Sequence, residues 1–214
     1  MKIEMSLKEY FKELDLIDMQ YGQEEDYYPL INMILRENCD LKELSLRDVH
    51  NSAGAGNRKK LLDGYGHRPD LVILDKKYKP DKDKDYNMKC LMYGAIEVKT
   101  YNKYSAFEEG NQEAVIGNSQ ILGQLAWYGK VIYTNGLCWQ YLNTKRTDAV
   151  VDDGELIDAY KDKKITFNVK TICNLDRSKD NSYNEKQWKK HQTKLAKIKW
   201  KENDSTNKNN NQSN

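Results

Sequence analysis

Three charged residues stand at the ends of segments that are otherwise apolar. Asp70 opens the run Asp70-Leu71-Val72-Ile73-Leu74, and Glu97 and Lys99 close the run Gly94-Ala95-Ile96-Glu97-Val98-Lys99. Both runs predict strands covered on two faces. Successive strand residues point to opposite sides, so Glu97 and Lys99 share one side and Val98 takes the other. Burying such charges costs on the order of several kcal/mol each unless they are paired or bind a metal. In an antiparallel pairing of these strands, one begins where the other ends. Asp70 and Glu97, 27 residues apart, then converge.

Two carboxylates and a lysine at one sheet end suit hydrolysis of a phosphodiester. The carboxylates would hold a hard cation, Mg2+ first and Mn2+ as a substitute. A bound cation polarises the phosphate and lowers the pKa of a water. Lys99 would position or deprotonate that water, or neutralise developing charge. The backbone carbonyl of Val98 points near the same place and is a further candidate ligand. The competing reading is a structural ion pair at the end of a sheet, and Glu-x-Lys alone does not separate the two.

The elements that must position these residues are legible from periodicity. Residues 5–17 and 23–38 have the apolar spacing of amphipathic helices. Pro29 predicts that the second helix starts near Tyr28 or bends there. Residues 44–50 predict a weak strand, and a glycine-rich, basic loop leads from there to Arg68. A long charged loop separates the two apolar runs, which form a hairpin with an elaborated tip. Residues 112–128 predict one helix. Lys130–Thr134 and Leu137–Asn143 flank Asn135-Gly136, a strong hairpin signal. Residues 164–172 predict an edge strand and residues 183–202 a basic helix. The order predicts an α/β or α+β sandwich around a mixed sheet flanked by helices.

With these elements in place, Gly-x-Arg-Pro-Asp-Leu-Val-Ile followed by Gly-Ala-Ile-Glu-Val-Lys-Thr resembles the PD-(D/E)XK signature of restriction-endonuclease-like nucleases. The match is Pro69-Asp70 with Glu97-Val98-Lys99. Many members of that superfamily carry a glutamate on the first core helix that completes the metal site. Helical phase puts Glu24 with Tyr27, Tyr28, Ile31 and Leu35 on the apolar face, and puts Glu25 toward solvent. Gln124-Leu125 with Tyr128 resembles a pattern found in several families of the superfamily, with Gln120 one turn earlier. Stretches around Glu24–Leu30 and residues 131–142 are similar to nuclease domains of restriction enzymes.

The resemblance implies a restriction-endonuclease-like core and a Mg2+-dependent DNA endonuclease of restriction, defence or mobile-element type. Its implied catalytic residues are Asp70, Glu97, Lys99, Glu24 and Gln124. Its implied metal ligands are Asp70, Glu97, Glu24 and the Val98 carbonyl. Arg58, Lys59, Lys60, Arg68 and Gln120 are candidate nucleic-acid contacts. The expected partner is DNA, with a homodimer or a specificity protein also open. The alternative is a non-catalytic, nuclease-derived binding or interaction module, although such modules typically lose a carboxylate or the lysine.

Length and composition set the frame. The 214 residues suffice for one domain with an extension. The expected division is a nuclease domain over 1–175, a basic helical extension over 176–203 and a disordered tail over 204–214. Net charge is +2, but its distribution is uneven. From Asp176 onward ten basic residues face five acidic ones, whereas residues 1–175 hold 25 basic and 28 acidic. Such a segment either attracts phosphates or is simply a solvated helix. Trp188 and Trp200, interleaved with lysines, suit either base stacking or docking on the body. The four cysteines have no CxxC spacing and read as buried thiols. His50, His67 and His191 lack metal-ligand spacing and read as surface or loop residues. No apolar run of membrane-spanning length or secretion signal is present, so a cytoplasmic location is expected.

Overall fold

The computed structural model describes residues 5–20, 22–50, 62–79, 86–109, 111–144 and 166–201. The chain forms an α/β fold with a six-stranded mixed sheet flanked by helices. The strands are β1 (Leu44–Asp48), β2 (Leu71–Asp75), β3 (Met92–Val98), β4 (Lys130–Thr134), β5 (Cys138–Thr144) and β6 (Phe167–Asn174). They lie in the sheet in chain order. Neighbours are antiparallel except β3 and β4, which run parallel. That one crossover carries α3 (Gln112–Ile116) and α4 (Ser119–Tyr128) onto one face. The other face is covered by α1 (Leu7–Gln20), α2 (Glu24–Asn38) and α5 (Asn181–Ala196).

Strand alternation divides the core in two. Leu71, Ile73, Ile96, Val98 and Ile132 face α1, α2 and α5. Val72, Leu74, Ala95, Val131 and Tyr133 face α3 and α4. This is why β2, β3 and β4 read as continuous apolar runs: both of their faces are covered. Met92 to Val98 therefore include only one half-buried residue, Tyr93.

The structure departs from the sequence expectations in several places. The stretch 112–128 is two helices. Gly117 ends the first, and the Asn118 side chain accepts the Ile121 amide at 3.1 Å to start the second. An asparagine can satisfy the free N–H groups of a new helix start, so helical spacing alone missed the break. α2 begins at Glu24, and exposed Pro29 sits in its second turn. Glu24, Glu25 and Asp26 fill the first turn, where the helix dipole favours acids. Asp26 also accepts the Gln23 amide at 3.1 Å.

The basic segment read as an extension packs into the same apolar core. Trp188, Leu195, Ile198 and Trp200 are buried with residues of α1, α2 and the sheet. Docking therefore accounts for both tryptophans, and neither ring is exposed for stacking. His191 is not a surface residue. It is fully buried, with ring centroids 4.5 Å from Trp139 and 5.4 Å from Trp188. Cys39 and Cys173 are buried as expected, while Cys90 is exposed. The expected disordered tail lies outside the described residues. No helix among the described residues is long and apolar enough to cross a membrane.

Candidate active site

β2 and β3 pair antiparallel with Leu71 opposite Ile96. The Asp70 amide donates to the Ile96 carbonyl at 3.2 Å, so the ladder runs one residue past the start of β2. This register brings Asp70 beside the end of β3. Its carboxylate is held at both oxygens. Tyr28 donates its hydroxyl to Oδ1 at 2.6 Å, and the Val98 amide donates to Oδ2 at 2.7 Å.

Glu97 is 1% exposed and points toward α4. Gln124 donates its amide to Oε2 at 2.8 Å, and Gln120 donates to Oε1 at 2.6 Å. The two glutamines are one turn apart, so one helix face grips both oxygens. Lys99 also donates to Oε1. Its ammonium reaches across to Glu24 at 3.3 Å, at the first turn of α2. Glu24, Asp70 and Glu97 each offer a carboxylate oxygen within 4.8 Å of the others.

Backbone packing fixes α4 against the chain entering the site. A Cβ at Gly66 would lie 2.5 Å from the Gln120 carbonyl and 2.7 Å from the Gly123 Cα. Only glycine allows this approach of two backbones. It seats Gln120 and Gln124 close to the residues that lead into Asp70. On the β4 side, Tyr133 lies opposite Glu97 in register and stacks on Tyr104 at 4.6 Å. These rings wall off the site from that direction.

The electrostatics follow from three acids around one lysine. Burial pushes the Glu97 carboxyl up to about 7, the Asp70 charge adds to the rise, and Lys99 and Gln124 oppose it. Burial also raises Asp70, against its hydrogen bonds from Tyr28 and Val98. Burial acts to lower Lys99, but the surrounding Glu97, Glu24 and Asp70 outweigh it and hold its pKa above the ordinary lysine value. The cluster thus has more negative charge than its own lysine neutralises. A hard cation relieves such a surplus. The donor set is all oxygen, which fits magnesium or manganese. Gln124 Oε1 is buried beside Glu97 with no hydrogen-bond partner among the described residues, a spare acceptor in the same place.

The structure therefore brings together Asp70, Glu97, Lys99, Glu24 and Gln124. Glu25 is exposed, as helical phase predicts. Val98 meets the site through its amide; in an extended strand the carbonyl of a residue leaves on the same edge as its N–H. Gln120, expected as a nucleic-acid contact, donates to Glu97. Arg68 is turned inward: its guanidinium pairs with Asp63 at 2.8 Å, and its side chain is 11% exposed. Arg58, Lys59 and Lys60 lie outside the described residues. The residue that sequence reasoning missed is Tyr28, taken there as packing. Its spacing of one turn from Glu24 was the available signal.

Comparison of the chain with protein-family models, with curated proteins and with solved structures found no match.

Proposed function

We propose that the chain is a metal-dependent nuclease of the PD-(D/E)XK type, built on a restriction-endonuclease-like core and hydrolysing phosphodiester bonds in DNA. The observation that carries this reading is the meeting of Glu24, Asp70 and Glu97 within 4.8 Å around Lys99. The motif residues and an acid from a separate helix converge without having been required to do so by local sequence.

Glu24, Asp70 and Glu97 would hold Mg2+, with the Val98 carbonyl as a further oxygen donor. When bound, the ion supplies Lewis-acid polarisation of the phosphate and a water of lowered pKa. The protein's own groups do the rest. Tyr28 and the Val98 amide fix the Asp70 carboxylate. Gln120 and Gln124 fix both Glu97 oxygens, so the acid does not reorient as charge shifts. Lys99, kept protonated by the acids around it, orients the attacking water and stabilises negative charge as it develops on phosphorus oxygens. Because Glu97 is buried behind α4 and Tyr133, these interactions act in a low-dielectric surrounding where they are stronger.

The test is cleavage of supercoiled and linear DNA by purified protein with Mg2+ or Mn2+ against EDTA, beside Asp70→Ala and Lys99→Ala. Metal-dependent cutting that both substitutions abolish supports the reading. Metal binding without cutting of DNA, RNA or branched substrates would point to a missing partner or recognition sequence. Absence of both metal binding and cutting would overturn the enzyme reading in favour of a non-catalytic, nuclease-derived module.

A further inference from the structure

The lysines of the C-terminal segment are not explained by the acidic site. Helical phase separates the two faces of α5. Asn184, Trp188, His191 and Leu195 are buried against the body. Lys186, Lys189, Lys190 and Lys194 are exposed on the opposite face, and exposed Lys197 continues it past the last turn. Among the described residues, no ion pair or side-chain hydrogen bond engages the ammonium groups of Lys186, Lys189, Lys190 or Lys197.

This arrangement is costly for a helix that only needs to be soluble. Lys186 with Lys190, and Lys190 with Lys194, are like-charge pairs one turn apart, which destabilise a helix. Glutamates at alternate turns would solvate the face equally well and add stability. The chain has 33 acidic residues, yet only Glu185 shares this part of the helix surface. Lys194 donates to the Thr171 carbonyl; Lys186, Lys189, Lys190 and Lys197 remain as the row that an anionic polymer would neutralise.

We infer that the exposed face of α5 is a docking surface for the phosphate backbone of duplex DNA. Lysines one turn apart stand about 6 Å from each other along the axis, forming a linear array that suits a linear chain of charges. The apolar face of α5 is already spent on the core, so the helix cannot lie in a membrane surface by burying it. With both tryptophans buried, contact is through charge alone and carries no base readout.

The surface is separate from the acidic cluster. Lys130, at the start of β4, donates to the carbonyls of Lys199 and Trp200, and Lys201 pairs with Asp75 at the end of β2. The segment after α5 therefore lies at the end of the sheet away from Asp70 and Val98. None of these lysines belongs to the acidic cluster, so the inference stands without the chemistry of that site.

The experiment is fluorescence anisotropy of a labelled 30-base-pair duplex with the full chain in EDTA, from 50 to 200 mM salt. The comparison protein is the combined variant Lys186→Gln, Lys189→Gln, Lys190→Gln and Lys197→Gln, with its fold checked by circular dichroism and melting. Each lysine that neutralises a phosphate contributes about −0.9 to the slope of log K against log salt. The variant is expected to lose at least about tenfold in affinity at low salt and to flatten the slope by up to about 3.6. Binding is read in EDTA, so a loss in the lysine variant does not depend on the proposed metal site. Equal affinity and slope in the parent and the lysine variant would overturn the inference. So would displacement of the duplex by an acidic peptide at lower charge concentration than by unlabelled DNA, since the surface would then fit an acidic protein.

Discussion

Strand β2 has an aspartate at each end, and the two have opposite fates. Asp75 accepts the Lys77 amide at 2.8 Å and pairs with Lys201 at 3.0 Å. Its carboxyl is held below the usual carboxylate range by the Lys77 amide first and by Lys201 next. Asp70 also accepts two hydrogen bonds, yet burial raises its carboxyl. At the Asp75 end one acid meets one cation. At the Asp70 end three acids share one. Asp75 is the structural ion pair at a sheet end that was the competing reading for the motif. Its presence in the same strand shows what that reading looks like when realised; both aspartates are buried, and Asp70 differs from Asp75 in the sign of its surroundings. A surplus of like charge, maintained by donors from α2, β3 and α4, is what an ion-binding site requires and what a structural pair avoids.

The largest effect that would test this contrast is on cleavage. Asp70→Ala and Lys99→Ala are expected to lose at least about a hundredfold in metal-dependent DNA cutting, while Asp75→Asn stays within about twofold of the parent. A nicking assay under single-turnover conditions reads both, and equal losses at the two aspartates would erase the distinction.

Removing a support at the Asp70 end should cost less. Tyr28→Phe leaves the ring in the core and deletes the hydroxyl that holds Oδ1. Loss of a hydrogen bond to a charged group is worth about 1.5–3 kcal/mol, so a roughly tenfold or greater loss of cutting is expected. Isothermal titration should show weakened Mn2+ binding in the same variant. An unchanged metal affinity would return Tyr28 to a packing role.

Metal should stabilise one end of β2 only through its acids. At about ten times its Kd, bound metal adds about 1.4 kcal/mol, or about 3–6 °C in melting temperature for a domain of this size. That shift is expected in the parent and in Asp75→Asn and should vanish in Asp70→Ala. A shift that survives in Asp70→Ala would locate the metal elsewhere.

The pH dependence sharpens the same point. Glu97 has its folded pKa raised from 4.5 to about 7. Between these values the folded state holds the extra proton, so metal-free stability is greatest at the acid side and is lost as pH rises through 7. One proton gives a slope of at most about 1.4 kcal/mol per pH unit. Denaturation of the metal-free protein from pH 5 to 7.5 should show this fall, and Glu97→Gln should flatten it. Metal affinity runs the other way and rises with pH, since the ligand must be deprotonated. Identical slopes in parent and variant would mean that Glu97 is not the group responsible.

The smallest effect belongs to Asp75. Lys201 is 45% exposed, so water screens the pair, and Asp75→Asn is expected to cost no more than about 1 kcal/mol by urea denaturation. A larger loss would make this end of the strand as demanding as the other.

Much of the fold was legible because its signals are local. The apolar runs of β2, β3 and β4 reported burial on both faces, and Asn135-Gly136 marked the hairpin where Gly136 takes a φ of 84°. Helical phase chose Glu24 over Glu25 because an amphipathic stripe fixes which side of a helix faces the sheet. The break at Gly117-Asn118 was not legible from periodicity, because the apolar spacing carries on across it. The inward turn of Arg68 and the burial of His191 were not legible either. Arg68 is turned by the path of the chain that brings Asp63 and the Val49 carbonyl to its guanidinium; His191 is covered because α5 lies over β5, and its burial beside Trp139 pushes its pKa down to about 3.

The sequence by itself determined which residues are chemically capable: Asp70, Glu97 and Lys99 at strand ends, and Glu24 on an apolar helix face. Residue type and periodicity are properties of the chain, and they survive without knowledge of what packs where. Only the tertiary structure decided that these acids meet, that Gln120 and Gln124 hold Glu97, that Tyr28 holds Asp70, and that Lys186, Lys189 and Lys190 share one exposed face of α5. Each of those is a distance between segments far apart in the chain, set by sheet register and by the close approach of Gly66 to Gly123, which no local pattern encodes.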